Sequence, residues 1–345
     1  ITTIPNGRIA LQRIAEAAPH LVVLDVEMPE LDGLATLKAI RRDYPKLPVV
    51  MFSSLTQRGA ATTIEALTLG ASDYVAKPTA PSVLAAMQMI RNELMPRIHA
   101  LCGRKHVRPS QAMQAQAAAN PATPRIWPGP AHAIVIAAST GGPNALATVL
   151  RTVPAQIGVP ILIVQHMPPV FTKMLAARLS KETGHAVEEA TAGAPVVAGR
   201  VWVAPGGYHM SLARSPQGVV LQLDQTPPEH SVRPAADVLL RAAAAMYGSA
   251  LIAAVLTGMG QDGLLGCGRV RAAGGYVIAQ DEATSVVWGM PGGVSRAGLA
   301  DVAIRTENGA VLRAMLLRIM GPLVVSTPVT GPGDDTSCAA GDVSL

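Results

Sequence analysis

Short apolar runs alternate with amphipathic helical stretches through most of the 345-residue sequence. Near the start of the chain the apolar runs "LVVLDV", "LPVVMFSS" and "ASDYVAKP" are separated by stretches with helical periodicity, such as "LATLKAIRRDY". Parallel strands need a crossover connection, which is usually a helix, so this alternation predicts a parallel sheet covered by helices. We therefore expect an α/β fold.

The alternation breaks once, at a stretch rich in Ala, Gln and Pro, "CGRKHVRPSQAMQAQAAANPATPRIWPGP". A second alternation then runs from "HAIVIAAS" through "VPILIVQH", "GRVWVAP" and "ALIAAVLTGMG" to "GGYVIAQD". Segments without helical or strand periodicity are typical of linkers. We therefore divide the chain into an α/β domain at 1–95, a linker at 96–131, a second α/β domain with a mostly parallel sheet at 132–322, and a disordered tail at 323–345.

Composition excludes several classes of protein. Hydrophobic residues make up 49% of the chain and charged residues 15%, which is typical of a globular protein. The longest apolar run, 242–256, contains polar and glycine residues and falls short of the roughly 20 apolar residues of a membrane span, so we expect a helix end followed by a buried strand. Three widely spaced cysteines without a CxxC pair indicate neither disulfides nor zinc, and favour a reducing cytoplasm: Cys102, Cys267 and Cys338.

The net charge of +5 is unevenly distributed. Basic residues occur without any Asp or Glu between Leu94 and Lys181. They are scattered, and aromatic residues make up only 3% of the chain, so a nucleic-acid interface is not expected. An acidic protein partner and a solvated linker both stay open for this segment.

Three strand ends of the first domain carry polar side chains. Asp25 ends the strand in "LVVLDVEMPELDG", Ser53 ends the next strand, and Lys77 follows the third in "DYVAKP". Parallel strands end at one edge of a sheet, where open α/β folds bind ligands, so a carboxylate, a hydroxyl and an ammonium should lie together there. The alternative is an incidental strand-end Asp beside a surface Lys.

These residues resemble the site of the response-regulator receiver domain, which has a flavodoxin-like fold, and the resemblance covers about the first 95 residues. It implies that Asp25 accepts a phosphoryl group with the help of Mg²⁺, because the cation offsets repulsion between the anionic reactants. It also implies that the Ser53 hydroxyl follows the phosphoryl group and that Lys77 pairs with it.

The first domain departs from the receiver pattern at its start. Only 24 residues precede Asp25, and they hold one predicted helix. The first strand of a receiver ends in an acidic pair that binds the cation. We therefore expect a partial receiver without its first strand and helix, with no metal ligand besides Asp25; either the sequence is a fragment or the receiver is defective. Mg²⁺ binding and phosphorylation are then expected to be weak. The receiver resemblance also implies that an unphosphorylated receiver packs against the second domain and restrains it, and we expect this restraint to be partly released.

The stretch "AASTGG" connects the first apolar run of the second domain to a predicted helix. Ser139 follows "IVIA" and precedes two glycines, so its hydroxyl should lie beside backbone amides and the positive end of the helix dipole. A phosphate cradle, a nucleophile and a plain tight turn all fit this placement. The motifs GxGxxG, GK[ST] and GxSxG are absent from the stretch.

Two more strand ends of the second domain supply a histidine and an aspartate. His166 follows the strand in "VPILIVQHMPP", and Asp262 follows the one in "ALIAAVLTGMGQDG". A serine nucleophile needs a histidine to take its proton and a carboxylate to hold that histidine in the right tautomer. We therefore predict a triad of Ser139, His166 and Asp262. His209 in "APGGYHMSL" is the rival base, and Asp281 is the substitute acid.

Five motifs of the second domain resemble those of the chemotaxis protein-glutamate methylesterase family, the CheB type: "AASTGGPNAL", "QHMPPVFT", "APGGYHM", "LTGMGQDG" and "IAQDEATSVVWGMP". The resemblance runs from about residue 132 to 320 and implies a doubly wound α/β catalytic domain joined to a receiver. It implies that Ser139, His166 and Asp262 are the triad. By the same resemblance Thr140 adjoins the nucleophile, and the backbone around Met259 helps to stabilise the oxyanion.

The resemblance implies a cytoplasmic hydrolase of bacterial chemotaxis, regulated by phosphorylation of its receiver. The implied reaction is hydrolysis of glutamyl methyl esters on chemoreceptors, with deamidation of glutamine at such sites in many members. The implied partners are methyl-accepting chemoreceptors as substrate and a histidine kinase of the CheA type as phosphodonor. No cofactor for catalysis, nucleic acid or membrane insertion is expected. The alternative is a non-catalytic adaptor that binds a receptor or an anion at the "STGG" helix start.

Overall fold

The structure, a computed structural model, describes residues 1–78, 82–103, 129–154 and 157–305. Most of the predicted linker and the whole of the predicted tail at 323–345 lie outside these residues. The described residues form two α/β units, one on each side of the linker.

The first unit has a three-stranded parallel sheet in the order β1, β2, β3. Its elements alternate as the sequence predicted: α1 (Gly7–Ala17), β1 (Val22–Asp25), α2 (Gly33–Asp43), β2 (Val49–Ser53), α3 (Gln57–Thr68), β3 (Asp73–Ala76) and α4 (Val83–Cys102). Each helix begins at a polar residue whose side chain accepts a backbone N–H of the first turn, which satisfies one otherwise unpaired donor: Asn6, Asp32, Thr56 and Ser82.

The second unit has a seven-stranded sheet in the order β12, β11, β10, β4, β5, β7, β6, with every pair parallel. Its first half consists of β4 (Ala133–Ala138), α5 (Gly142–Thr152), β5 (Ile161–Gln165), α6 (Phe171–Thr183), β6 (Ala186–Glu189) and β7 (Arg200–Val203). An antiparallel hairpin follows, β8 (His209–Ser215) and β9 (Gly218–Asp224). The second half consists of α7 (Ala236–Tyr247), β10 (Leu251–Val255), α8 (Leu264–Ala272), β11 (Tyr276–Gln280), α9 (Met290–Arg296) and β12 (Val302–Ile304).

The strand order of the second sheet determines where a ligand can bind. The chain passes from β4 outward to β5 on one side and later returns to β10 on the other side. Open α/β sheets bind ligands outside the carboxyl ends of the strands at such a reversal. Because Ser139, His166 and Asp262 follow β4, β5 and β10, all three lie at this reversal.

Most elements agree with the sequence, and the differences have simple causes. The run at 242–256 is a helix end followed by a buried strand, as predicted: α7 ends at Tyr247 and β10 begins at Leu251. The sequence did not predict β6, β8, β9 or β12, because these strands are short or only partly buried and lack a clear apolar run. The last helix of the first unit continues past residue 95 to Cys102.

The two units share a hydrophobic core. One cluster of buried side chains contains Leu37 and Ile40 of the first unit together with Leu146 and Phe171 of the second. Burial of apolar surface is the main favourable contribution to such packing. In the part of the chain that the structure describes, no helix combines the length and the apolar composition needed to cross a bilayer.

Candidate active site

The Ser139 turn, defined as residues 139–142, connects β4 to α5. Every residue of β4 is buried, and the strand ends at Ala138, so Ser139 is the first residue beyond the sheet. Gly141 has a φ of +78°, a left-handed conformation that favours glycine, and it begins α5 without a side-chain cap. The turn therefore brings a partly exposed serine to the N-terminus of a helix.

Buried groups from neighbouring strands hold this turn. The Ser139 N–H donates to the carbonyl of Thr257 (3.0 Å). The Ser139 carbonyl accepts from the Gly142 N–H (2.7 Å) and from Nε2 of Gln165 (3.0 Å). The Thr257 hydroxyl also donates to the carbonyl of Thr140 (2.9 Å). The backbone on both sides of the serine hydroxyl is therefore fixed before any ligand binds.

The predicted base and acid are in contact. Nε2 of His166 lies 2.7 Å from Oδ2 of Asp262, and the two side chains are only 9% and 2% exposed. Rotating the imidazole by 180° about its bond to Cβ exchanges Nε2 with a ring carbon and would break this contact. Because Asp262 occupies Nε2, Nδ1 is the ring nitrogen left for a second partner.

The N-terminus of α7 holds Asp262. Oδ2 accepts from the Ala236 N–H (2.6 Å), and Oδ1 accepts from the N–H groups of Asp237 and Gly263 (2.9 Å each). Burial acts to raise the pKa of Asp262, but the hydrogen bond and charge of His166 and the helix N–H groups outweigh it, so the pKa lies below its ordinary value. Asp262 is therefore an ionised carboxylate at neutral pH.

The rival residues have other partners. His209 is fully buried; its Nε2 bonds to the carbonyl of Pro227 (3.1 Å), and its Nδ1 accepts from the Ala235 N–H (3.2 Å). Asp281 accepts hydrogen bonds from the N–H and the hydroxyl of Thr284 within a turn. His209 therefore has no ring nitrogen left for a serine, and the carboxylate of Asp281 serves to close a turn.

Ser139 and His166 leave the sheet side by side. Ala138 and Gln165 are paired in the parallel register of β4 and β5, and the His166 N–H donates to the Ala138 carbonyl (3.2 Å). Among the described residues the Ser139 hydroxyl has no hydrogen bond to His166. In the structure the predicted base therefore contacts the predicted acid. The serine lies next to the base, but its hydroxyl is not hydrogen-bonded to it.

Two backbone N–H groups beside Ser139, those of Thr140 and Met259, have no acceptor among the described residues. The Gly258 carbonyl accepts from two N–H groups at the start of α9 (3.0 and 2.8 Å), so the trans peptide directs the Met259 N–H away from that helix. A Cβ on Gly258 would lie 2.9 Å from Cβ of Ser139, which shows how closely this peptide approaches the turn. Neither Met259 nor Thr140 donates its N–H to another group in the described part of the chain.

At the edge of the first sheet, Asp25 contacts Lys77. Nζ of Lys77 lies 2.8 Å from Oδ1 of Asp25, and both side chains are about one-third exposed. Ser53 is fully buried, and its hydroxyl donates to the carbonyl of Gly59 in α3 (3.1 Å). The structure therefore brings the predicted phosphoacceptor and its lysine together, while the serine hydroxyl is directed to a helix.

The receiver resemblance implies a Mg²⁺ ion beside Asp25. The charged partner of Asp25 among the described residues is Lys77, a cation. The one group of three potential metal-ligating side chains found in the described ranges lies in the second unit. Mg²⁺ prefers several oxygen ligands in octahedral geometry, so the described residues do not make up a Mg²⁺ site by themselves, and no step is derived through the ion.

The first unit contacts the second beside the Ser139 turn. Oδ2 of Asp73 accepts a hydrogen bond from the Thr140 hydroxyl (2.6 Å) and lies 3.2 Å from Nε of Arg97. Burial raises the pKa of the Asp73 carboxyl, although Arg97 and Thr140 act in the opposite direction. Next to it, Tyr74 stacks on Phe171 with ring centroids 4.8 Å apart. Strand β3 therefore touches the residue that follows the candidate nucleophile.

Sequence reasoning missed three residues of this region. Asp73, Gln165 and Asp237 are 6%, 2% and 0% exposed, and each forms hydrogen bonds to the Ser139 turn or to the backbone near Asp262. A signal was present, because each is a polar residue within or next to an apolar element. Buried polar groups need partners, and such partners cluster at functional sites.

Known proteins resemble this chain over most of its length. The profile of the CheB methylesterase family matches residues 134–310, and that of the response regulator receiver domain matches residues 1–88. A protein-glutamate methylesterase/protein-glutamine glutaminase of Trichodesmium erythraeum is 50% identical over 305 residues, which cover 86% of this chain and 85% of the relative. A relative of the same name from Nocardioides sp. is 47% identical over 311 residues, which cover 87% and 83%. The crystal structure of the Thermotoga maritima CheB methylesterase catalytic domain superposes with a TM-score of 0.52 at 41% identity, over 54% of this chain and 98% of that one.

Proposed function

The chain belongs to the CheB methylesterase family, and on that premise we propose how its own residues carry out and regulate the reaction. The protein is a methylesterase with a receiver domain; its relatives are named for both glutamyl ester hydrolysis and glutamine deamidation. The family acts on chemoreceptors and receives its phosphoryl group from a kinase. In our proposal the substrate is a methyl-accepting chemoreceptor, and the phosphodonor is a histidine kinase of the CheA type.

Ser139 attacks the carbonyl carbon of the glutamyl methyl ester. Nδ1 of His166 takes the hydroxyl proton, while Asp262 holds the ring through Nε2 and stabilises the imidazolium. The carbonyl oxygen becomes an oxyanion, to which the N–H groups of Thr140 and Met259 donate. The Ser139 hydroxyl closes on His166 when substrate binds, since catalytic hydrogen bonds often tighten only in the complex.

The tetrahedral intermediate then collapses. The bond to methoxide breaks, and His166 returns its proton so that methanol leaves. Water attacks the acyl-enzyme with His166 again as base, which frees the glutamate carboxylate and restores the Ser139 hydroxyl. On a glutamine side chain the same steps release ammonia; because an amide nitrogen is the poorer leaving group, proton donation by His166 matters more there.

One observation carries this proposal: a buried imidazole and an ionised carboxylate are joined at 2.7 Å beside a serine at a helix N-terminus. An adaptor that binds an anion at the helix start needs the turn but no carboxylate behind a histidine. The geometry therefore favours the hydrolase over the adaptor.

We propose that the receiver acts on the Ser139 turn through β3. Lys77, which contacts Asp25, follows the end of this strand, and Asp73, which binds Thr140, begins it. At about 3.3 Å per residue the two positions are about 13 Å apart. We expect phosphorylation of Asp25 to be weak, because the described residues supply no further Mg²⁺ ligands. Where the phosphoryl group is present, its negative charge beside Lys77 shifts β3 and weakens the Asp73 contact with the catalytic unit.

Removal of one hydroxyl tests the assignment of the nucleophile. Ser139→Ala should lower methanol release from a methylated chemoreceptor by at least about 10³-fold, because no other group supplies the acyl acceptor. Labelling by a serine-directed fluorophosphonate should be lost as well. The thermal unfolding midpoint should stay at the wild-type value, since the removed oxygen is partly exposed. Ser285→Ala, in the loop after β11, is the control and should keep both activities.

Labelling of Ser139→Ala at the wild-type rate would contradict the assignment of Ser139. A folded wild-type chain that neither labels nor releases methanol would instead favour the adaptor. The two results are distinguishable because the first concerns one residue and the second the whole reaction.

A further inference from the structure

The turn that precedes α7 has a backbone conformation that its own residues disfavour. His230 and Ser231 have φ values of +52° and +64°. Glu229 and Val232 pair across them in an antiparallel bridge, with the Val232 N–H donating to the Glu229 carbonyl (2.9 Å). Two consecutive positive φ values are those of a type I′ turn, for which Asn-Gly is the preferred sequence. A His-Ser pair in this conformation must be held by contacts elsewhere.

The contact that holds the turn joins His230 to Asp237. Nε2 of His230 lies 2.8 Å from Oδ2 of Asp237, which is fully buried in the first turn of α7. The other oxygen of Asp237 accepts from the Gly266 N–H at the start of α8 (2.6 Å). Arg241 of α7 pairs with Glu229, which attaches the same turn to α7 a second time. The strained turn is therefore fixed to the helix whose N-terminus holds Asp262.

Asp237 contacts the carboxylate of Asp262 through its backbone. Its N–H donates to Oδ1 of Asp262 (2.9 Å), and the N–H of Ala236 donates to Oδ2 (2.6 Å). One ligand atom each from His230, Asp237 and Asp262 lie within 4.8 Å of one another. Burial raises the pKa of Asp237 and the Asp262 charge adds to this, while hydrogen bonds from Gly266 and His230 act against it. Two carboxylates this close repel each other, and hydrogen-bond donors to each of them offset this repulsion.

We propose that His230 and Asp237 form a second imidazole–carboxylate pair that positions Asp262, and through it His166, for catalysis. The inference rests on the proposed function and deepens it. His230 and Asp237 are positioning residues, since neither contacts the serine or the oxyanion donors. Without the imidazole, Oδ2 of Asp237 loses its partner and the carboxylate moves away from Asp262. The two N–H groups at the start of α7 move with it, so Asp262 no longer holds the His166 ring in one orientation.

Three variants of the full 345-residue chain separate the hydrogen bond from the turn. His230→Gly removes the imidazole and leaves a residue that favours positive φ. His230→Gln keeps an N–H donor at a similar reach but cannot titrate. Ser231→Gly relieves the neighbouring positive φ and leaves the imidazole in place, which makes it the matched control. If His230→Gly fails to fold, His230→Asn replaces it, because Asn tolerates the left-handed region best among residues with side chains.

The readouts are kcat and KM for methanol release and the second-order rate of fluorophosphonate labelling. His230→Gly should lower kcat and the labelling rate by about threefold to tenfold, the effect of losing one net hydrogen bond, with KM unchanged. His230→Gln should recover most of this loss. Ser231→Gly should keep wild-type rates and raise the unfolding midpoint. Wild-type rates in His230→Gly, or an equal loss in His230→Gln, would overturn the proposal.

A spectroscopic readout separates this inference from the proposed function. The downfield proton resonance of the His166–Asp262 hydrogen bond, assigned by its absence in Asp262→Asn, should shift in His230→Gly and stay in place in Ser231→Gly. If the wild type is active and the resonance does not move in His230→Gly, only the inference about His230 and Asp237 is refuted, and the proposed function stands. A wild type that neither labels nor releases methanol refutes the proposed function, and the resonance still reports whether His230 positions Asp262.

Discussion

Asp262 remains ionised although it is almost fully buried, because the protein replaces the water that the carboxylate has lost. His166 and three backbone N–H groups surround its two oxygens. A buried charge without such partners would take up a proton instead. The residue therefore acts as a fixed anion whose position is set by the start of α7.

Asp262→Asn tests this role at the scale of one residue. The asparagine amide has one oxygen and no negative charge, so it cannot accept all the hydrogen bonds of the carboxylate or stabilise an imidazolium. We therefore expect kcat to fall by about 10³-fold to 10⁴-fold with little change in KM, as in other triads. Asp281→Asn is the matched control, since Asp281 also follows a strand of the same sheet, but its carboxylate closes a turn and lies 3.5 Å from Nε of Arg305. Equal losses in the two variants, measured by methanol release, would contradict the assignment of Asp262.

The pH dependence of stability gives a second measurement on the same carboxyl. Its folded-state pKa lies below the ordinary value, so its stabilising contribution is present above the unfolded pKa of about 4 and is lost as the pH falls through the folded value. Urea unfolding of the wild type and of Asp262→Asn should therefore differ most near neutral pH. The difference should shrink below about pH 4. A difference that is constant from pH 7 to pH 3 would show that ionisation of Asp262 does not contribute.

At the scale of the elements, the link between β4 and α5 leaves no room for a side chain at Gly142. A Cβ on Gly142 would lie 2.0 Å from Oε1 of Gln165 and 2.9 Å from Cβ of Ala138. The first contact would push away the side chain that binds the Ser139 carbonyl. The strand end and the helix start can therefore approach each other only without a side chain at this position.

Gly142→Ala should lower the rate of fluorophosphonate labelling by about tenfold or more and destabilise the fold by about 1–3 kcal/mol, the usual cost of overpacking. The control is Gly268→Ala in α8, where a Cβ would meet nothing within 4 Å. That change should stabilise the protein by about 0.5–1 kcal/mol, because Ala favours a helix interior, and leave labelling unchanged. Labelling of Gly142→Ala at the wild-type rate would show that the Gln165 contact does not position the serine.

The sequence was sufficient for the elements that bury long apolar runs and for the residues that end them. β4, β5 and β10 each follow from such a run, and the residues beyond them were therefore predicted to meet at one edge. The hairpin of β8 and β9 was not predicted, because its strands are half exposed and their pattern resembles that of a loop. Periodicity reports burial within an element and carries no information about which buried polar groups meet across elements.

At the scale of the whole molecule, the first unit contacts the catalytic machinery directly. Asp73 brings a buried carboxylate to the hydroxyl of Thr140, and the two units share one apolar core. This contact joins residues that are 67 positions apart in the sequence. Neither the motif around Asp73 nor the motif around Thr140 indicates that the two residues meet. The receiver motif and the serine motif were each readable from the sequence, while their contact depends on how two folded surfaces fit together.

Asp73→Ala should raise methanol release by the unphosphorylated protein. The change removes a negative charge from beside the site where an oxyanion forms and frees the Thr140 hydroxyl. An increase of about fivefold or more is expected, at the lower end of allosteric coupling. Asp43→Ala, which removes an exposed carboxylate of α2 paired with Arg42, is the control and should have no effect. Unchanged or lower release in Asp73→Ala would contradict the proposed link between the receiver and the Ser139 turn.

The position of Asp73 and Lys77 on a single strand limits which receivers can be transplanted onto this catalytic unit. A chimera needs a lysine that pairs with the phosphoacceptor and, four residues earlier, a carboxylate that reaches the threonine of its new neighbour. It also needs an aromatic ring at the next position to stack on Phe171. A foreign receiver that has only the lysine would accept a phosphoryl group normally and yet leave the esterase insensitive to it. In this chain the segment 73–77 therefore carries part of the compatibility between the two units.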